Sequence, residues 1–169
     1  MDKRYLVIIL IVGVCLVNLF FISQSSDVIG SASVNVDKYT FSIPLDFMLM
    51  DTYPNYVTLS NDKMGLNVAV YVLKGEYNIS EVLSTLKNNT DYKILSEGSV
   101  NTSDIKIDTI YFESHDPSVN IQNHSTFYFK KYDTFFKVEM NNFDYNTEKN
   151  FTLETIDYIV DSLRINHKK

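Results

Sequence analysis

The residues best suited to ligand chemistry lie in two predicted strands in the second half of the chain. Side chains two residues apart in a strand point to the same face, so Tyr111 and Glu113 share one face, as do Gln122, His124 and Tyr128. Tyrosine rings can stack on sugars or peptides, and Glu, Gln and His side chains supply hydrogen bonds. We therefore expect a ligand-binding sheet face whose candidate residues are Tyr111, Glu113, Gln122, His124 and Tyr128.

The pairing of these strands depends on the turn between them. The sequence Asp116-Pro117-Ser118-Val119 suits a type I turn, with Asp first and Pro second. Such a turn sets His115 opposite Asn120, and therefore Glu113 opposite Gln122 and Tyr111 opposite His124. A solvated or helix-covered face of the same composition remains the alternative to a binding face.

A second hairpin, turning at Lys131 to Thr134, places Phe129 opposite Phe136, Phe127 opposite Val138 and Tyr128 opposite Lys137. The two hairpins together sort the side chains onto two faces. The predicted core face holds Ile110, Phe112, Val119, Ile121, Phe127, Phe129, Phe136, Val138 and Met140. The predicted polar face holds Tyr111, Glu113, His115, Gln122, His124, Tyr128, Lys137 and Glu139.

Motifs for catalysis or cofactor binding are missing from the sequence. There is no G-x-S-x-G segment, no phosphate-binding glycine-rich loop and no H-E-x-x-H. We do not expect Glu113, His115 and His124 to bind a metal, since a tyrosine faces His124 in the predicted pairing. The sequence predicts no cofactor and favours a non-catalytic protein. An exported hydrolase would instead need Glu113 and His124 to converge in a cleft.

The elements that must position these residues follow from hydrophobic periodicity. Alternating apolar residues predict strands, and apolar residues at helical spacing predict one helix after Asn78 and another from Thr147 to Leu163. The order βββαββββα indicates an α+β domain with a largely antiparallel sheet. The predicted strands are Tyr39–Pro44, Tyr56–Ser60, Gly65–Leu73, Tyr92–Val100, Ile105–His115, Val119–Lys130 and Phe135–Asn141.

An apolar run from Tyr5 to Ile22 precedes this domain and is long enough, at about 27 Å, to cross a bilayer as a helix. Lys3 and Arg4 precede the run, which predicts a cytoplasmic N-terminus and an extracytoplasmic domain. We expect an anchor at residues 1–23, a linker at 24–33 and the domain at 34–169 of a single-pass cell-membrane protein. Cleavage of the segment as a signal peptide is the alternative.

Three segments of the domain resemble PsbP-like domains, the α/β modules named for an extrinsic photosystem subunit. These segments are the early strand YTFSIPLDF, the hairpin TFYFKKYDTFFKVEM and the closing helix TIDYIVDSLRI. The resemblance implies an exported accessory or binding module. It transfers no functional residue, because no site motif of the family occurs here.

Two further features of the sequence are its net charge and its N-glycosylation sequons. The formal net charge of −6 disfavours nucleic-acid binding, which needs a positive field. Among the N-x-[ST] sequons, Asn88 and Asn101 are the glycosylation candidates, while Asn123 points to the predicted core face. We expect a membrane-anchored extracytoplasmic binding or accessory module whose partner is a protein or a glycan, with a structural envelope component as a further alternative.

Overall fold

The computed structural model describes residues 30–35, 38–115 and 122–166. Within these residues the chain alternates short hairpins with two helices. In chain order the elements are β1 Gly30–Val34, β2 Tyr39–Ile43, β3 Met48–Thr52, β4 Tyr56–Asn61, β5 Leu66–Val72, α1 Ile79–Asn88, β6 Tyr92–Thr102, β7 Ile105–Ser114, β8 Gln122–Lys131, β9 Thr134–Asn141, α2 Tyr145–Ser162 and β10 Arg164–Ile165.

The strands form two antiparallel sheets. The larger sheet has seven strands in the order β3-β4-β5-β9-β8-β7-β6, and the smaller has the order β1-β2-β10. One face of the larger sheet, called the inner face below, packs against α2 and the smaller sheet to enclose the core. The opposite face, called the outer face, carries the remaining side chains of the seven strands.

The predicted α+β class, the antiparallel pairing and the two helices agree with this architecture. Strands β1, β3 and β10 were not predicted. The predicted linker at 24–33 overlaps β1, whose Gly30 pairs with Ile43, so the folded domain includes residues before Val34. The predicted anchor at residues 1–23 lies outside the described residues. Of the helices that are described, none combines the length and the apolarity that a bilayer crossing requires.

The β8–β9 hairpin has the predicted register. Phe129 lies opposite Phe136, Phe127 opposite Val138 and Tyr128 opposite Lys137. Tyr132 and Asp133 form the two-residue turn, and both have positive φ as a type I′ hairpin turn requires. The inner-face members of this hairpin are fully buried, as predicted: Phe127, Phe129, Phe136, Val138 and Met140.

The β7–β8 register differs from the prediction by one residue. Tyr111 lies opposite Ser125, and His124 lies opposite Phe112. Strand β7 ends at Ser114 and β8 begins at Gln122 among the described residues, and the turn predicted at residues 116–119 lies outside them. Because a one-residue shift exchanges the faces of a strand, Tyr111 occupies the inner face and Ile110 and Phe112 the outer face. The predicted core residues Val119 and Ile121 lie outside the described residues.

The helices begin at side-chain caps. Asn78 Oδ1 accepts a hydrogen bond from the Ser80 amide at the start of α1, the helix that the sequence predicts after Asn78. Asp144 caps α2 in the same way through the Asn146 amide. The predicted apolar stripe of this helix was Leu153, Ile156, Ile159, Val160 and Leu163. Ile156, Ile159 and Val160 are buried, as is Leu163 just after the helix, while Leu153 is partly buried.

Candidate functional site

One half of the outer face is covered. Ile110 has no exposed surface although it lies on this face, and α1 packs against the neighbouring strand β6. Tyr77, which precedes α1, stacks on Tyr128 with 4.9 Å between ring centroids and donates a hydrogen bond of 2.9 Å to Asp108 Oδ2. The β6–β7–β8 half of the outer face therefore serves to hold α1 and its leading loop.

The other half of the outer face contains an open groove of about 460 Å³ over strands β3, β4, β5 and β9. Small side chains form its base, since Thr58 and Ala69 are directly opposite each other on β4 and β5. This volume falls in the range of small-ligand sites. The groove is lined by Met50, Asp51, Tyr56, Thr58, Leu59, Asn67, Val68, Ala69, Tyr71, Glu139 and Asn141.

A row of aromatic rings forms one wall of the groove. Tyr53 stacks on Tyr56 with 4.4 Å between ring centroids, and Tyr56 stacks on Tyr71 at 5.0 Å. The Lys137 ammonium lies 4.3 Å from the centre of the Tyr71 ring and 2.7 Å from Glu139 Oε1. Because Tyr56 stacks on two rings and Tyr71 on a ring and an ammonium, these two side chains offer ring edges and hydroxyl groups to a ligand.

The Tyr71 hydroxyl stays protonated at neutral pH. Partial burial, followed by the nearby negative charge of Glu139, raises the pKa of Tyr71 to about 12. Burial and the charge of Glu139 likewise raise the pKa of Tyr128 to about 12. The groove therefore holds a phenol that can donate a hydrogen bond beside a carboxylate that accepts them.

The β3 side of the groove depends on a backbone irregularity. The pairing of β3 with β4 shifts between Leu49 and Asp51, so Met50 is an extra residue in the edge strand. The Asp51 amide donates a hydrogen bond of 3.1 Å to Thr58 Oγ1, which fixes the strand after the bulge. Among the described residues, no Lys, Arg or His lies within salt-bridge distance of the Asp51 carboxylate. The groove therefore carries an exposed negative charge at this end.

The predicted binding candidates do not meet in one site. Tyr111 is buried in the core, where its hydroxyl lies 2.9 Å from Thr152 Oγ1, so its prediction as a surface ligand group is wrong. Glu113 lies opposite Asn123 and forms a salt bridge of 3.1 Å with Lys93. Glu113 and His124 therefore lie on opposite faces of the sheet and do not converge as the hydrolase alternative requires.

Three other candidates lie on the outer face, as predicted, but outside the groove. His124 stacks on Phe112 at 5.0 Å and lies 2.8 Å from Ser114 Oγ through its Nε2. Partial burial lowers the pKa of His124, against an opposing effect of Glu139. Gln122 lies opposite Ser114 at the end of the sheet, and Tyr128 is covered by Tyr77. Their role in binding stays a prediction.

Sequence reasoning missed most residues of the groove wall. Asn67, Ala69 and Tyr71 do alternate with apolar residues along β5, so their shared face was predictable. The position of β5 next to β9, which brings Tyr71 beside Lys137, is a long-range pairing that no local turn specifies. Glu139 was placed on the outer face correctly and lines the groove.

The two sequon candidates are accessible. Asn88 ends α1 and Asn101 lies on β6, and both side chains are exposed. Asn123 is half-buried, and its amide donates a hydrogen bond of 3.0 Å to the Phe143 carbonyl. Glycosylation of Asn88 and Asn101 stays a prediction.

Comparison with known proteins identifies the fold. The solution structure of the Synechocystis sp. PCC 6803 PsbP protein (CyanoP) matches with a TM-score of 0.55 and 12% identity, covering 85% of this chain and 95% of that one. The Saccharomyces cerevisiae Ran-binding protein Mog1p matches with a TM-score of 0.53 and 11% identity, covering 80% and 94%. The fold is PsbP/Mog1-like.

A Bacteroides thetaiotaomicron protein has the same fold, with a TM-score of 0.55 and 10% identity over 82% of this chain and 48% of that one. The predicted PsbP-like resemblance is therefore confirmed. At these identities the likeness establishes the fold alone. Neither a protein-family model nor a curated protein sequence matches the chain.

Proposed function

We propose that this protein is a non-catalytic binding module, anchored in the cell membrane by Tyr5–Ile22, that binds an extracytoplasmic protein partner in the outer-face groove. The groove is the observation that carries the proposal. It is an open part of the outer face and is lined by hydrogen-bonding groups, whereas Tyr77 covers Tyr128 on the other half of the same face. A binding role is compatible with the fold, since one structure of this fold is a Ran-binding protein.

The charge of the groove favours a basic ligand group. Asp51 has no basic partner among the described residues, whereas Glu139 forms a salt bridge of 2.7 Å with the partly buried Lys137. The ammonium of Lys137 occupies the face of the Tyr71 ring, so a ligand cation would meet carboxylate and phenol oxygens and not that ring face. A lysine or arginine side chain of a partner would therefore pair with the Asp51 carboxylate, whereas a neutral glycan has no charge to pair with it.

The membrane part of the proposal rests on the sequence. The run from Tyr5 to Ile22 has the length of a bilayer-spanning helix, and the basic residues Lys3 and Arg4 precede it. This orientation places the domain outside the cytoplasm, where the partner must also be found.

A binding titration tests the ligand class. Full-length protein in detergent is titrated with a lysine-containing nonapeptide, the same peptide with acetylated lysines, and a neutral oligosaccharide. We expect binding of the unmodified peptide only, with affinity falling as salt is added. Asp51→Asn should weaken binding by roughly three- to fivefold, as expected for an exposed ion pair of up to about 1 kcal/mol.

Asp133→Asn is the matched control, because Asp133 is an exposed aspartate in the β8–β9 turn, away from the groove. Equal weakening by both substitutions would indicate a general charge effect and would contradict a groove site. Preferential binding of the oligosaccharide would replace the proposed protein partner by a glycan.

A further inference from the structure

The exposed apolar side chains of the described residues are concentrated in one place. Five of the seven large ones lie between Leu45 and Tyr53, in the β2–β3 corner, in strand β3 and directly after it. Strand β3 is an edge strand of the seven-stranded sheet, where natural proteins usually place charged residues or proline. The exposed fractions are 50% for Leu45, 51% for Met48, 44% for Leu49, 57% for Met50 and 44% for Tyr53.

This surface lies where the described domain begins. Gly30, the first described residue, pairs with Ile43, and Leu45 follows two residues later along the chain. The apolar surface and the start of the domain therefore lie at the same end of β2.

The length of the preceding chain limits how far this end can lie from a membrane. Seven residues, 23–29, separate the proposed anchor from Gly30, and seven residues span at most about 25 Å when fully extended. The β8–β9 turn lies at the opposite end of the domain. The Tyr39 hydroxyl at the start of β2 lies 2.6 Å from Thr134 Oγ1, so the β8–β9 turn is at the end of β2 opposite to Ile43.

We propose that Leu45, Met48 and Leu49 insert into the lipid interface of the membrane in which the protein is anchored. The charged residue inside the corner, Asp46, is paired with Lys63 at 2.6 Å, so the corner presents apolar side chains beside a neutralised charge. Apolar side chains that enter an interface bury their surface to a depth of about 5–10 Å. The contact fixes the orientation of the domain, with the groove of the β3–β4–β5–β9 face held beside the lipid surface. This inference rests on the anchor of the proposed function.

Site-directed labelling tests the contact in the full chain. Cys15→Ser removes the single native cysteine, and Leu45→Cys or Met48→Cys then carries an environment-sensitive dye. The matched control is Lys130→Cys, an exposed position on β8 next to the opposite turn. Each protein is reconstituted in phosphatidylcholine vesicles whose acyl chains carry a nitroxide quencher, and flotation with the vesicles is measured in the same sample.

We expect all three proteins to float and the dyes at residues 45 and 48 to lose about half of their emission, because a depth of about 5–10 Å brings them among the acyl chains. The dye at residue 130 should lose little. Leu49→Ser should reduce the quenching at residue 48, since it removes apolar surface without touching the anchor.

Three outcomes would overturn the inference. Equal and weak quenching at residues 45, 48 and 130 in floating protein would show that the corner stays in water, and would leave the anchor intact. A blue-shifted dye at residue 48 without quenching, reversed by dilution of the protein, would assign the surface to a second copy of this chain. Protein that fails to float would contradict the proposed anchor, and the lipid contact with it.

Discussion

The phenol oxygen of Tyr111 lies 2.9 Å from Oγ1 of Thr152, and this hydrogen bond joins the seven-stranded sheet to α2 inside the core. The Thr152 hydroxyl donates to the Lys149 carbonyl at 2.7 Å, so the Tyr111 hydroxyl is the donor in the bond between the two side chains. The Lys149 ammonium lies 5.0 Å from the centre of the Tyr111 ring and covers it. Tyr111 is thus a polar residue that the core accommodates because its hydroxyl has a partner.

Tyr111→Phe tests this pairing. The substitution removes the donor and keeps the ring, so we expect the free energy of unfolding to fall by about 1 kcal/mol. Urea denaturation followed by circular dichroism measures the change. Tyr92→Phe is the control, because Tyr92 is an exposed ring on β6 and should tolerate the loss of its hydroxyl. If the two variants unfold alike, Tyr111 would be at the surface, as the sequence-based register assumed.

The β8–β9 and β7–β8 hairpins differ in how well the sequence predicts their register. In the β8–β9 hairpin a two-residue turn at Tyr132 and Asp133 fixes the register, and the alternation of apolar residues on both strands agrees with it. In the β7–β8 pair the apolar residues Ile110 and Phe112 lie on the outer face, where Ile110 is buried and His124 stacks on Phe112. A strand that is covered on both faces gives no alternation from which a register can be deduced.

The groove was less predictable than the fold for a related reason. Its wall combines Tyr56 of β4, Tyr71 of β5 and Lys137 of β9, and the pairing of β5 with β9 spans the whole α1–β8 segment of the chain. The bulge at Met50 is likewise a property of the assembled edge strand, because it appears only in the pairing with β4. Local periodicity predicted which residues of a strand share a face, but it does not specify which strands are neighbours in the sheet.

Phe129→Ala should be among the most damaging substitutions in the hairpin. Phe129 is fully buried and stacks on Phe136 with 5.2 Å between ring centroids. Removal of the ring leaves a cavity, and we expect a loss of roughly 3 to 5 kcal/mol. Phe135→Ala is the matched control, since Phe135 lies on the outer face and is half-buried against Tyr77. Denaturant midpoints of both variants give the comparison. A larger loss of stability for Phe135→Ala would mean that Phe135, and not Phe129, faces the core.

His124 should make the fold less stable in mild acid. Burial lowers the pKa of His124 in the folded state, so below the unfolded value of about 6.5 the unfolded chain binds more protons than the folded one. Stability from the neutral ring is therefore complete above that value and falls as the pH drops from about 6.5 toward the folded pKa. Comparison of urea midpoints at neutral and mildly acidic pH measures the loss.

His124→Gln should reduce this acid sensitivity, because glutamine does not titrate. The other titrating groups are common to the parent and the variant, so the difference between the two proteins isolates His124. A parent protein and a His124→Gln variant with the same pH dependence would show that protonation of this ring does not affect folding.

Ser125 is the opposite case to Tyr111, since its hydroxyl is fully buried and has no hydrogen-bond partner among the described residues. Its backbone lies between Tyr111 on β7 and Met140 on β9, so the side chain faces the core. A buried hydroxyl without a partner costs roughly 1 to 3 kcal/mol, and Ser125→Ala removes the hydroxyl with little change in volume. We expect Ser125→Ala to raise the free energy of unfolding by about 1 kcal/mol.

Ser162→Ala is the matched control, because the Ser162 hydroxyl accepts from the Ser42 amide at 3.1 Å and donates to the Ile159 carbonyl at 3.2 Å. That variant should lose about 1 kcal/mol, so the two alanine substitutions should shift the urea midpoint in opposite directions. A loss of stability in both variants would mean that Ser125 has a partner in the folded protein.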